Sequence, residues 1–157
     1  MMEAFWQRFE DDYMARVRRV RGRREAPVCS GDMMLSADPG ENDRLLMEVI
    51  HGLRRALMDT LEHVNQQGRA ILGSNEYFIL VDSAGTPRAV IRTTGAHIVA
   101  FRRMEERWAL LEGEDKSLAA WQARWRETLL REAREKQRPL SLETLMVAET
   151  FTVAYTE

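Results

Sequence analysis

Three histidines and a single cysteine are the side chains of this sequence best suited to metal or thiolate chemistry. His51, His63 and His97 have no spacing, with one another or with carboxylates, that resembles a known metal-ligand motif. Cys29 is the only cysteine, so it can form neither an intramolecular disulfide nor a thiolate cluster within one chain. The sequence therefore predicts no metal site and no cofactor, and its cysteine content is typical of a reducing compartment.

A run of arginines covers the end of the first predicted helix and the residues after it, and it could bind phosphates through charge-assisted hydrogen bonds. Cations at the C-terminal end of a helix also interact favourably with the helix dipole. A solvated helix end is therefore the favoured interpretation, and phosphate binding is the alternative. The run consists of Arg16, Arg18, Arg19, Arg21, Arg23 and Arg24.

Two tryptophans, Trp121 and Trp125, are four residues apart and could stack on nucleic-acid bases. The same spacing continues the apolar stripe of a helix predicted to run to about residue 136, so we predict that both indoles are buried in the core. The acidic segment before this helix offers Asp115 or Ser117 as its N-terminal cap.

Bulk composition and missing motifs exclude several classes of protein. The 157 residues are 45% hydrophobic and 31% charged, which is typical of one soluble globular domain. No apolar run approaches the roughly 20 residues that span a bilayer, so we expect a cytoplasmic protein. The net charge of -2 at pH 7 is less basic than that of most duplex-DNA binders. The sequence lacks a Walker loop, a G-x-G-x-x-G turn and a G-x-S-x-G elbow, which excludes P-loop, dinucleotide-binding and serine-esterase chemistry.

Hydrophobic spacing divides the chain into helices and strands. The predicted helices cover residues 3–20, 45 onward, 104–111 and 118–136, and the predicted strands cover 77–81, 88–101 and 145–155. Residues 21–41 contain glycine and proline breakers and predict a loop. We therefore expect an N-terminal helix and loop, residues 1–41, packed on a domain of residues 42–157.

The predicted start of the second helix rests on capping residues, and its predicted end rests on the spacing of apolar residues. Asn42 and Asp43 are its predicted caps. Apolar residues then keep helical spacing through Gly52 to residue 66. Spacing alone therefore predicts one long helix.

Several segments, taken in order, closely resemble the ASCH domain of bacterial proteins, a member of the PUA-like fold group. The resemblance implies an α+β fold with a mixed or antiparallel PUA-like β-barrel, flanking helices, and a cleft beside a G-x-K-x-x-T motif. It also implies that the second helix stops near Gly52 and that a short strand covers residues 56–60, and we follow the resemblance there in preference to the spacing. The segments are Tyr77-Phe-Ile-Leu-Val-Asp82, Ala89-Val-Ile-Arg-Thr-Thr94, Ile98-Val-Ala-Phe101, Glu112-Gly-Glu-Asp115, Ser117-Leu118 with Trp121, and Phe151-Thr-Val-Ala-Tyr155.

The motif that carries the chemistry of this family is altered here. Gly52 matches the motif glycine, but Arg54 stands at the lysine position and Leu57 at the threonine position. The family's small members hydrolyse N4-acylated cytidines with the threonine hydroxyl as nucleophile, and leucine has no hydroxyl. Arginine stays protonated and cannot act as a base in place of lysine. The glutamate of the small members aligns near Arg92, and the acid that often follows the Thr-Thr pair is Gly95 here.

The resemblance also implies a role around RNA, since other members of the family are associated with RNA binding or RNA cleavage. Together with these departures, it favours an ASCH domain that binds RNA or a nucleotide-like ligand in a basic cleft without hydrolysing N4-acylcytidine. Arg54, Arg55, Arg92 and Glu76 are the predicted ligand contacts, and a solvated rim is the alternative role of the arginines. A second hypothesis is a hydrolase or ribonuclease that uses other residues of the cleft. A third is a protein-interaction module that uses the N-terminal helix and residues 21–41. The ligand and the oligomeric state stay open.

Overall fold

The structure is a computed structural model and describes residues 1–18 and 25–157. Helices and strands alternate along most of the chain, and two single turns of 3₁₀ helix, Phe101–Arg103 and Leu110–Glu112, flank the shortest α-helix. In chain order the elements are α1 Met2–Val17, β1 Cys29–Met33, α2 Pro39–Ile50, β2 Ala56–Thr60, α3 Leu61–Gln66, β3 Tyr77–Val81, β4 Pro87–Ala100, α4 Glu106–Ala109, α5 Leu118–Glu135 and β5 Leu145–Thr156.

The strands form one five-stranded mixed sheet in the order β1-β3-β4-β5-β2. β1 runs parallel to β3, whereas the pairs β3–β4 and β2–β5 are antiparallel. The predicted α+β class is confirmed, but the predicted closed β-barrel is wrong. Closure requires the two edge strands to pair with each other, and in the described residues β1 pairs with β3 and β2 with β5.

Contacts divide the chain into two compact units that are each built from several segments. Unit 1 comprises residues 1–52, 73–94 and 151–157, and unit 2 comprises residues 53–72 and 95–150. The division predicted from the sequence, at residue 41, stays a prediction.

The core of unit 1 forms where α1 packs on β3 and β4. Phe5 and Phe9 lie one helical turn apart on the same face, and both are fully buried. They pack against Ile79, Val81 and Val90. The helix predicted from spacing is therefore confirmed, although it ends at Val17.

Part of the arginine run lies in the described residues. Arg16 forms an ion pair with Asp12 and donates a hydrogen bond to the carbonyl oxygen of Ala154 at 3.1 Å. Arg18 is the C-terminal cap residue of α1. Arg19, Arg21, Arg23 and Arg24 lie outside the described residues.

The core of unit 2 forms around α5. Trp121 and Trp125 are buried together with Phe101, Leu129 and Met146, so the predicted core role of both indoles is confirmed. Ser117 caps the helix by accepting a hydrogen bond from the backbone amide of Ala120 at 3.1 Å. Among the residues described, no helix is both long enough and apolar enough to cross a membrane.

Helix α2 begins earlier and ends sooner than spacing predicts. Asp38 is its N-cap and accepts from the amide of Glu41 at 2.8 Å, so the predicted caps Asn42 and Asp43 are wrong and lie inside the helix. The helix ends at Ile50, and Gly52 has a φ of 83°. Because this left-handed conformation favours glycine and interrupts a helix, the long helix to residue 66 is wrong. The stop near Gly52 and the strand Ala56–Thr60, both implied by the ASCH resemblance, are confirmed.

Two further segments differ from the prediction. Strand β1, Cys29–Met33, lies within the predicted loop of residues 21–41. The predicted helix of residues 104–111 is reduced to α4, and residues 110–112 continue as a 3₁₀ turn. Both segments are short, so their contacts decide their conformation more than their intrinsic preferences do.

Candidate functional site

Strand β2 of unit 2 carries Leu57, the residue predicted to stand at the threonine position of the motif, and pairs with β5. Leu57 lies opposite Glu149, and Asp59 lies opposite Val147. Directly opposed residues of an antiparallel pair share one face of the sheet, so these four residues form one surface, called here the Leu57 face. The alternate residue Met58 packs on the tryptophan core at the other face.

A buried carboxylate lies on the Leu57 face beside the leucine. Glu149 is 1% exposed. It accepts hydrogen bonds from both terminal nitrogens of Arg69, with Nη1 at 2.8 Å, and from the amide of Leu72 at 2.8 Å. Hydrogen bonding to Glu149 raises the pKa of Arg69 above its usual value, although burial acts in the opposite direction. The oxygens of Glu149 are therefore engaged by the guanidinium and the amide, and any other use of this carboxylate would disrupt a largely buried ion pair.

The same face carries an acid–imidazole pair. His63 Nδ1 lies 2.6 Å from Asp59 Oδ2, and the two side chains are 50% and 27% exposed. The charge of Asp59 also contributes to the raised pKa of Arg69. A carboxylate that fixes one ring nitrogen leaves the other available for proton transfer. Within residues 1–18 and 25–157, no three His, Cys, Asp or Glu side chains are grouped closely enough to hold a metal ion.

Arg54, which is predicted to stand at the lysine position of the motif, is a buried residue. It is 4% exposed and forms an ion pair with Glu114. Its Nη1 also lies 3.5 Å from the carbonyl oxygen of Ala56. Arg55 is half-buried, and its amide donates to the carbonyl oxygen of Leu111 at 2.7 Å. Arg55 precedes Leu57 by two residues.

The acidic segment before α5, which contains Gly113, packs closely on the backbone of Leu53 and Arg54 in unit 2. Gly113 has a φ of 81°, and a Cβ atom there would lie 2.2 Å from the carbonyl oxygen of Leu53. Glycine is required because only its missing side chain permits both this conformation and this approach. Gly113 thus fixes the backbone that leads into Arg54.

Glu112 connects the acidic segment to α5. It is 4% exposed and accepts hydrogen bonds from the indole N–H groups of Trp121 and Trp125, both at 2.9 Å. Arg124 donates to Glu112 at 2.5 Å and to Asp115 at 2.8 and 3.0 Å. Asp115 therefore pairs with an arginine, and the capping role predicted for it falls to Ser117.

The remaining predicted contacts, Glu76 and Arg92, lie together in unit 1. Arg92 on β4 is opposite Tyr77, the residue after Glu76. The Glu76 carboxylate accepts from the amide of Gly73 at 2.8 Å, and Arg92 donates to the side-chain oxygen of Asn75 at 3.3 Å. Both side chains are half-buried and contact the segment that leads into β3.

Residues 32–155 match the sequence model of the ASCH domain. The chain belongs to the ASCH domain family. This ASCH domain is similar to an ASCH domain from Lactobacillus crispatus, with 26% identity, a TM-score of 0.63 and coverage of 80% of this chain and 79% of that chain. A protein from Enterococcus faecalis shares the fold, with 24% identity, a TM-score of 0.64 and coverage of 96% of this chain and 86% of that chain. No curated protein matches this chain.

Sequence reasoning missed the Arg69–Glu149 pair and the Asp59–His63 pair of this ASCH domain. An acid within the apolar run of β5 was a usable signal, because a buried carboxylate needs a partner. Its partner could not be identified, since Arg69 is 80 residues away in sequence. The second pair was hidden because hydrophobic spacing placed residues 59 and 63 in one helix, where an i, i+4 pair is usually a solvated contact.

Glu62 on α3 forms a pH-sensitive ion-pair group with Lys136 at 3.1 Å and Arg138 at 2.5 Å. Hydrogen bonds from Arg138 and then Lys136 lower its pKa from 4.5 to about 2. Because the folded-state pKa is depressed, the stabilisation is complete above pH 4.5 and is lost as the pH falls towards 2. Glu62→Gln should therefore reduce the free energy of unfolding at pH 7 by less than about 1 kcal/mol, since the pair is partly exposed.

Urea unfolding of wild type and Glu62→Gln between pH 7 and pH 2 measures this effect. The difference between the two proteins should shrink below pH 4.5. Glu135→Gln, an exposed change on α5, is the matched control and should show a small difference that does not vary in this way. A Glu62→Gln difference that is the same at every pH would contradict the prediction.

Proposed function

We propose that this ASCH domain binds RNA or a nucleotide-like ligand at the Leu57 face of unit 2 and does not hydrolyse N4-acylated cytidine. The observation that carries the proposal is the environment of Leu57 on β2. Leu57 has no nucleophilic atom, and the carboxylate opposite it, Glu149, is buried on Arg69. The family's role around RNA, implied by the resemblance, supports the ligand class.

Guanidinium groups at this face supply the binding chemistry. Arg69 keeps 33% of its side chain exposed while it is oriented by Glu149, and Arg55 is half-buried next to the start of β2. An arginine held by a carboxylate is pre-organised, and its planar fork suits both phosphates and base edges. Arg54 is buried on Glu114, which suits a positioning role for the segment that carries Arg55. Ligand contacts by Arg54, Arg92 and Glu76 stay predictions.

N4-acetylcytidine should not be hydrolysed above background by the wild-type chain. Leu57→Thr should not create this activity, because Arg54 cannot accept a proton and Glu149 is held by Arg69. Chromatographic release of cytidine measures both proteins, and circular dichroism verifies that the variant folds. Turnover by Leu57→Thr would show that the threonine alone was missing and would contradict the proposed loss of the base.

Arg55→Ala should weaken binding of a short single-stranded RNA without changing the melting temperature by more than a few degrees. If Arg55 contacts one phosphate, the slope of log affinity against log salt should fall by roughly 0.7 in magnitude. Fluorescence anisotropy at several salt concentrations measures both quantities. Arg131→Ala, an exposed change on α5 with the same loss of charge, is the matched control and should behave as wild type.

Two results of this titration would count against the proposal. Equal affinity and slope in wild type and Arg55→Ala would remove Arg55 from the site. No RNA binding by wild type would favour the protein-interaction module.

The Asp59–His63 pair favours hydrolysis or RNA cleavage as the second candidate function. An imidazole oriented by a carboxylate is a suitable general base, and Arg69 lies close enough for Asp59 to influence its pKa. This candidate would be established if wild type hydrolysed N4-acetylcytidine or cleaved RNA, if His63→Gln abolished that activity, and if His97→Gln left it unchanged. It would replace the non-catalytic proposal.

A further inference from the structure

Unit 2 contains a cavity that is separate from the Leu57 face. It has a volume of about 740 Å³ and lies where the end of β2, helix α3, the C-terminal half of α5 and the segment before β5 meet. Thr60 lines it, and Thr60 shares the face of β2 that carries Met58. The cavity is therefore on the opposite side of the strand from Leu57, and its volume is within the range of small-molecule sites.

The wall of the cavity is largely apolar. Leu61 of α3, Leu129 of α5 and Leu140 line it. Leu145 at the start of β5 also lines it and is 46% exposed. A leucine left in contact with water at a concave surface gains free energy when an apolar group covers it. The cavity therefore favours a ligand with an apolar body.

The charged side chains of the wall differ in whether an oppositely charged side chain is bonded to them. The Glu62 carboxylate is bonded to Arg138 and Lys136, and Glu143 forms an ion pair with Arg102. Glu132 is half-buried on α5, and its charge adds to the effect of Glu62 in raising the pKa of Arg138. Within the described part of the chain, no hydrogen bond or ion pair joins the Glu132 carboxylate to Arg138 or to another cation. The Glu132 carboxylate can therefore still accept a hydrogen bond from a ligand, and the wall carries three acids, Glu62, Glu132 and Glu143, against the single cation Arg138 among the described lining residues.

We propose that this cavity binds an organic cation, namely an ammonium group on an apolar aliphatic or aromatic body. The ammonium donates to the Glu132 carboxylate, and the body covers Leu129, Leu140 and Leu145. Organic anions are disfavoured, because the Arg138 guanidinium is bonded to Glu62. The site does not depend on the RNA-binding proposal, since it uses residues of the other side of β2.

Three probes with the same phenethyl group test the assignment: phenethylamine, phenethyl alcohol and phenylpropionate. Two-dimensional amide NMR of the full chain measures the affinity of each, and the shifted amides locate it. Phenethylamine should bind about tenfold more tightly than the alcohol, as expected for one charge-assisted hydrogen bond. The shifts should fall on α3, the C-terminal half of α5 and the segment before β5.

Glu132→Gln should lower the affinity for phenethylamine about tenfold, to that of the alcohol, and leave the affinity for the alcohol unchanged. Glu135→Gln, an exposed acid of the same helix outside the cavity wall, is the matched control and should bind as wild type. Both substitutions are close in shape to the original residue and should retain the fold. Equal binding of amine and carboxylate, an unchanged affinity of Glu132→Gln, or the absence of saturable shifts in wild type would overturn the proposal.

Discussion

Gly113→Ala is expected to lower the free energy of unfolding by roughly 3 kcal/mol or more. The added Cβ would lie 2.2 Å from the carbonyl oxygen and 2.8 Å from the carbonyl carbon of Leu53. Both atoms belong to the backbone, so no side chain can rotate away to relieve the overlap. The displaced segment leads into Arg54, and the variant should therefore also lose RNA affinity if the motif segment positions the ligand contacts.

Gly85→Ala is the matched control for this prediction. Gly85 has a φ of 79°, almost the same as Gly113, but nothing lies within 4 Å of its Cβ position. It therefore incurs the backbone strain alone, about 1–2 kcal/mol. Urea unfolding of both variants measures the difference. Equal losses of stability would mean that the Leu53 contact imposes no steric cost.

Glu112→Ala is expected to lower the free energy of unfolding by about 3–5 kcal/mol, the range for breaking a buried ion pair. The change leaves two indole N–H groups without an acceptor and removes one of the two carboxylates bonded to Arg124. Water does not replace the acceptor easily, because Trp121 is fully buried and Trp125 nearly so. Urea unfolding followed by tryptophan fluorescence measures the effect.

Two control variants separate the loss of the buried acceptor from the loss of its charge and from the loss of an exposed carboxylate. Glu112→Gln retains an oxygen acceptor and loses the charge, so its cost should fall below that of Glu112→Ala. Glu105→Ala removes a 53% exposed carboxylate that pairs with Arg107, and its cost should be within about 0.5 kcal/mol. If Glu112→Ala costs no more than Glu105→Ala, the carboxylate does not stabilise the core.

The elements with strong apolar patterns could be predicted from the sequence. The spacing of Phe5 and Phe9 defines α1, and the run Tyr77–Val81 is a strand with the predicted bounds. Strand β1 could not be predicted, because its residues are mostly exposed and its stability comes from pairing with β3. The spacing of apolar residues gave the wrong prediction after Ile50, because a strand of period 2 followed by a short helix can produce the same apolar pattern as one long helix.

The candidate site was predictable only in part. The resemblance directed attention to Arg54, which lies two residues before β2, and to Leu57, which lies within β2. Sequence does not give the partners of buried charges, so it could not show that Arg54 is bonded to Glu114. The cavity beside Glu132 was equally hidden, because its walls come from segments that are distant in sequence.

The position of β5 in the sheet has a consequence for how this chain folds during synthesis. β5 lies between β4 and β2, and Ala56 pairs with Thr150. A ribosome therefore releases β2 long before its partner strand exists. Contacts of such large sequence separation form slowly, and until then the apolar residues of β2 have no strand to cover them. Nascent chains that stall before residue 145 should consequently be the species most dependent on chaperones.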